Sequence, residues 1–261
     1  MRLLVLFHRW WGVAFCPVFA MWFASGIVMH FVPFPSRDTA PHAADGRRFD
    51  LSRATIMSIA RDQWTVGDEF DIDRPLVHVA LNDADGTEIY RSAASGGVVL
   101  VTTRTQRALN YLASIPHWIY PTVLRQHRAA WSALMWWLSL LATLGAALGL
   151  LVGVTRLFSG SARYRGLQAW HHYGGLMCAP FVLAFVLSGF LTMDDGTLLA
   201  RGSTVAAFFA DLHRFSFGPL AAHPLLRTIV IVALCSGGFA FSLTGTALAW
   251  NRLHGAVRSS A

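Results

Sequence analysis

Lysine is absent: every fixed positive side-chain charge among the 261 residues is one of 21 arginines. Charge of either sign is scarce, at 13% of residues, where a soluble domain carries roughly 25%. The three cysteines, Cys16, Cys178 and Cys235, all fall inside apolar runs. No disulfide framework therefore stands outside those runs, and the thiols read as small packing residues. Neither Cys-x-x-Cys nor His-Glu-x-x-His occurs, so the usual zinc-ligand spacings are missing. No Ser-His-Asp order and no Gly-rich phosphate loop is present. The long apolar runs contain no Asp or Glu, which argues against an ion-coupled transporter of the acid-dependent kind.

What fills the chain is hydrophobic residue, 54% of the total. Four stretches, roughly 10–32, 130–154, 172–193 and 226–250, are long and apolar enough to span a bilayer, which takes about 20 residues. Arg2 and Arg9 precede the first, Arg156, Arg163 and Arg165 follow the second, and Arg252 and Arg258 follow the fourth. None of these three segments holds an acid, and all 14 acids lie between 38 and 88 or between 194 and 211. With four spans the arginine-only segments share one side, which the positive-inside rule makes cytoplasmic, together with both termini. The net charge of +7 is thus a topology signal, and no nucleic-acid partner is expected. The first run exceeds the apolar core of a signal peptide and no A-x-A site follows it before Pro33, so an uncleaved helix is expected.

The expected organisation is a first transmembrane helix in 1–32, a module in 33–115, and an interface segment with the second helix in 116–156. A cytoplasmic loop (157–171), third helix (172–193), periplasmic loop (194–225), fourth helix (226–250) and cytoplasmic tail (251–261) complete it. Within the module, 33–46 is a linker rich in Pro, Asp and Gly. DLSRATIMSIARDQWT (50–65) reads as an amphipathic helix capped by Asp50 or Ser52. Residues 76–91 alternate on both sides of Asp85-Gly86, a β-hairpin signal. GGVVLVTT (96–103) reads as a further strand and 103–115 as a helix. This α+β module is near the size at which a lone core becomes marginal. STVAAFFADLHRF (203–215) reads as a short interfacial helix.

Internal repetition is visible. HRWWGVAFCPVFAMWFASGI (8–27) and HHYGGLMCAPFVLAFVLSGF (171–190) share an opening His, then Gly12 and Gly175, Pro17 and Pro180, and Ser25-Gly26 and Ser188-Gly189, at an offset of 163. A second offset, 96, aligns His117 with His213, His127 with His223, Gly149 with Gly245 and Arg156 with Arg252. The expected fold is an all-α membrane bundle of four helices in two parallel repeats, related by a pseudo-two-fold along the membrane normal, with the α+β module between helices one and two. Steps of three and four place His8, Gly12, Phe15, Phe19, Trp22, Gly26 and His30 on one helix face. Its glycines allow a neighbouring helix or a flat ligand to approach.

Of 11 histidines, His8 and His171 fall at the inner boundary and His30, His117, His127, His213 and His223 at the outer one. A boundary histidine is on its own an amphipathic anchor. Pairs placed identically in two halves are different, because a two-fold sets them on facing helices. Two converging imidazoles are what a haem iron with two axial histidines needs. One haem would be held by His8 and His171, and a second by His117 and His213, with His127 and His223 as competing candidates. Gly12 and Gly175 would give the porphyrin room.

HRWWG…SG (8–26), WHHYGG…SGFLTMD (170–194), PHWIYPTVLR (116–125) and LHRFSFGPL (212–220) resemble the PepSY-associated transmembrane family of bacterial inner-membrane proteins over nearly the whole chain. The resemblance implies a PepSY-type module on the periplasmic side between the first two helices. Some members of that family are siderophore-iron reductases that bind haem b within the helices and pass electrons outward to a ferric complex. A quinol or cytoplasmic reductant would then be the donor. The competing expectation is a non-catalytic membrane scaffold whose outer module binds a partner.

Overall fold

The computed structural model describes residues 2–37, 49–160, 164–193, 198–200 and 202–258. Most of the 33–46 linker, Arg163 and the Asp194-Asp195 pair lie outside the described residues. The chain divides into a helical unit, Met1–Ile27 with Ser132–Ala261, and a second unit, Val28–Trp131.

Among the described residues, four helices are long and apolar enough to cross a membrane: α1 (Arg2–Phe31), α5 (Arg128–Phe158), α6 (Leu167–Thr192) and α9 (Pro224–Arg258). The chain is a multi-pass membrane protein. The buried hydroxyls of these helices bond within their own helices, as an apolar surrounding demands. Ser139 Oγ donates to the Met135 carbonyl at 2.6 Å, Thr143 to Ser139 at 2.8 Å and Ser242 to Gly238 at 2.7 Å. One expectation is corrected: a histidine does not open either helix. Leu3–Phe7 contain no breaker, so α1 starts at Arg2, and α6 starts at Leu167 after Gly166 in a positive-φ turn. His8 and His171 consequently sit in the second turn of each.

The helices contact one another in a ring. The Trp11 indole N–H of α1 donates to the Leu141 carbonyl of α5 at 3.0 Å. Trp136 of α5 meets Phe190 of α6 edge-on. Phe241 of α9 lies over Gly175 of α6, and Phe23 of α1 over Gly238 of α9. Within this unit α7 (Thr204–His213) is capped by Ser203, whose hydroxyl accepts from Ala206 N–H, and α8 (Gly218–Ala222) follows.

The second unit is built on a four-stranded antiparallel meander, β1 (Thr55–Ala60), β2 (Leu76–Ala80), β3 (Glu88–Ser92) and β4 (Val98–Thr102). The hairpin expected at Asp85-Gly86 forms: Gly86 takes φ +58° and its N–H donates to the Asp83 carbonyl. Trp64, Phe70, Leu76, Tyr90, Val99 and Leu100 make one core cluster, and Val79, Leu81 and Ile89 another. The helix expected over 50–65 is a strand instead. β1 pairs with β2 with a register shift at Met57. Asp62 then collects the N–H groups of Trp64 and Thr65 in a side-chain turn that ends any helical run. The β-branched Thr55, Ile56 and Ile59 follow the available strand edge rather than their helical spacing. After the sheet, α2 (Arg104–Asn110) and α3 (Ser114–His117) replace the single helix expected over 103–115, and α4 (Thr122–Arg125) leads to α5.

Candidate functional site

At one end of the helical unit His8 of α1 and His171 of α6 come together, ring centroids 6.3 Å apart and planes tilted by 36°. An imidazole nitrogen binds a metal ion at about 2.0–2.1 Å, so two rings gripping one ion from opposite sides have centroids about 6 Å apart. The pair meets that spacing. α1 and α6 approach again at Phe23 and Phe185, 6.0 Å apart edge-on.

Each imidazole lies against a glycine of a different helix. A methyl group on Gly149 of α5 would stand 3.0 Å from His8 Cε1, and one on Gly245 of α9 would stand 3.1 Å from His171 Cε1 and 2.5 Å from Cys16 Sγ. Gly175 makes room for Phe241, whose ring stacks on His171 at 4.7 Å and 15°. Gly12 faces only Cys16 Sγ, 3.7 Å from where its methyl would be. Trp11 takes the space over Gly145. Arg156 Nε and His172 Nε2, both buried near these helix ends, have no hydrogen-bond partner among the described residues. Nor do three His, Cys, Asp or Glu side chains gather as a metal site among the described residues.

Sequence reading missed a contact of His171. Its Nδ1 lies 3.0 Å from Thr244 Oγ1, and that hydroxyl donates to the Phe241 carbonyl at 2.6 Å. The signal was available, since FVLSG (185–189) and FSLTG (241–245) share one pattern.

His213, at the end of α7, docks on the FVLSG segment of α6. A methyl on Gly189 would meet its Cε1 at 3.0 Å. Its Nδ1 lies 3.1 Å from the Phe185 carbonyl and 3.2 Å from Ser188 Oγ. Burial pushes this imidazole below the usual histidine range; the Phe185 carbonyl works against that shift and the Arg214 guanidinium adds to it. A depressed histidine pKa means that the unfolded state takes up protons first as pH falls. Stability from this group is complete above about pH 6.5 and is lost downward through the lowered folded value. His213→Gln should therefore flatten the fall in thermal midpoint between pH 7 and 5, relative to the unsubstituted chain. An unaltered slope would contradict this sign.

His223, after α8, is exposed. His117 ends α3 in the second unit and is half-buried, and His127, between α4 and α5 in the same unit, is exposed. No protein-family model, curated protein or solved structure matches the chain.

Proposed function

We propose that the protein is a haem-binding electron-transfer protein of the bacterial inner membrane, with both termini cytoplasmic. A haem b would be held between His8 and His171. The 6.3 Å spacing of these rings carries the reading. It is supported by the donor set, two imidazoles without a nearby carboxylate, which leaves four positions of an iron for a porphyrin. The orphaned Arg156 Nε and His172 Nε2 suit the carboxylates such a macrocycle carries. When bound, the haem supplies a reversible one-electron couple. The two imidazoles would hold the iron, and the apolar helices around them would keep water from it.

The sequence repeats support a two-fold arrangement of the halves. His8 meets Gly149 as His171 meets Gly245, the pairing that both offsets require. By the sequence repeat alone, a second haem would be held by His117 and His213, with His127 and His223 as competing candidates. Two haems would carry an electron across the bilayer from a quinol or cytoplasmic reductant to a periplasmic ferric siderophore or other metal complex. This is the role implied by resemblance to the PepSY-associated transmembrane family, whose periplasmic module would lie in residues 33–115.

The test is optical. Membranes holding the protein should give a reduced-minus-oxidised b-type spectrum, and His8→Ala and His171→Ala should each abolish its bis-imidazole low-spin component. A colourless protein overturns the function, and an unchanged spectrum in both variants overturns the ligand assignment. The scaffold reading has one observation in its favour: edge strand β1 exposes Ile56 and Ile59 by 73% and 76%, an apolar face suited to a partner. That reading predicts no colour.

A further inference from the structure

The two segments FVLSG (185–189) and FSLTG (241–245) do the same thing to two different histidines. In each, the glycine receives the imidazole: Gly245 takes His171 and Gly189 takes His213, at 3.1 and 3.0 Å from the position a methyl would occupy. The hydroxyl, Thr244 or Ser188, lies against the ring Nδ1 at 3.0 or 3.2 Å. That hydroxyl donates to the carbonyl three residues back, Phe241 at 2.6 Å or Phe185 at 3.0 Å. The phenylalanine ring touches the imidazole as well, stacked on His171 and edge-on to His213.

A backbone carbonyl can only accept, so with the Thr244 hydroxyl hydrogen on the Phe241 carbonyl, as the 2.6 Å contact has it, Oγ1 accepts from His171 and Nδ1 carries the proton. Nε2 is left as a bare lone pair, the form in which imidazole ligates a metal. Donation from Nδ1 to a fixed acceptor also orients the ring and raises the basicity of Nε2.

His8 lacks this device. In the repeat register GAALG (145–149) stands opposite FSLTG, so Leu148 replaces the threonine and Gly145 the phenylalanine, while Gly149 is retained. His8 has no hydrogen-bond partner among the described residues.

We propose that Thr244 is a positioning residue that makes His171 the anchoring axial ligand of the iron and leaves His8 the exchangeable one. This rests on the haem reading above. It adds a site at which a small exogenous ligand enters on the His8 side.

The experiment uses the full chain in detergent, haem-loaded, with Thr244→Val, Thr244→Ser, His8→Ala and His171→Ala. Removing the hydroxyl weakens electron donation to the ferric state, so Thr244→Val should raise the ferrous:ferric ratio at fixed poise about tenfold, about 59 mV for a one-electron couple. Thr244→Ser should restore the original midpoint. His171→Ala should release haem at least tenfold more readily than His8→Ala, and His8→Ala should keep a five-coordinate haem that binds carbon monoxide. The proposal is overturned by an unchanged midpoint in Thr244→Val, by failure of serine to restore it, or by equal haem loss from the two histidine variants. Absence of haem from the unsubstituted chain would overturn the functional reading instead. In that event 15N NMR of the haem-free chain decides the positioning role: an Nδ1–H tautomer at His171 that disappears in Thr244→Val upholds it, and an Nε2–H tautomer sinks it.

Discussion

Gly245→Ala should destabilise the helical unit by about 1–3 kcal/mol, the range for overpacking a filled interior, while Gly12→Ala should leave it unchanged or slightly firmer. Both glycines lie on apolar helices, and composition alone ranks them together. The difference lies in what a methyl meets. At Gly12 it would be 3.7 Å from Cys16 Sγ, an ordinary contact. At Gly245 it would be 2.5 Å from the same sulfur and 3.1 Å from His171 Cε1. Cys16 is buried, so its sulfur has little free space to enter, and His171 is held from the other side by Phe241. The new methyl therefore displaces either α1 or the ring. The thermal midpoint of the full chain in detergent measures the cost. Adding Cys16→Ala to Gly245→Ala should return about 1 kcal/mol or more beyond additivity, since it removes the atom in conflict. Strict additivity would mean that the close approach of α1 and α9 is not what Gly245 provides.

The four spans were legible because length and hydropathy decide them without tertiary information, and arginine without lysine or acid marked the segments that flank them. The His8–His171 meeting was legible for a different reason: the two segments share one pattern at a fixed offset, and these equivalent positions of α1 and α6 meet. Residues 50–65 were misread because Leu51, Ala54, Met57 and Arg61 repeat at helical spacing, and only the edge offered by β2 makes the strand preferable. Thr244 escaped notice because a hydroxyl in an apolar helix usually bonds its own backbone. Thr244 does so too, and its second contact, to a histidine 73 residues away, depends on packing. The partners of His117 and His127 belong to the same class of problem, since short helices after a sheet carry no periodic signal that fixes where their side chains land.

The module should be most sensitive at Asp62. Its carboxylate accepts from Tyr90 Oη at 2.9 Å, Thr65 Oγ1 at 3.0 Å, Trp64 N–H at 3.0 Å and Thr65 N–H at 3.2 Å. Tyr90 and Thr65 are fully buried. Burial, and then the charge of Asp62, push the Tyr90 hydroxyl far above its ordinary range, so it is a donor at every working pH. Removing the hydroxyl by Tyr90→Phe takes away one donor and leaves the carboxylate three others, at a cost of about 1 kcal/mol. Asp62→Ala is the asymmetric case: it takes the acceptor from the buried Tyr90 and Thr65 donors, and it dissolves the turn that ends β1. About 3 kcal/mol is expected, read as roughly hundredfold faster exchange of the β2 and β3 amides in the full chain. Asp62→Asn, which keeps an acceptor oxygen, should fall between the two. Equal effects of Asp62→Ala and Tyr90→Phe would show that the carboxylate matters only through Tyr90. The turn over 62–65 would then owe its form to the flanking strands.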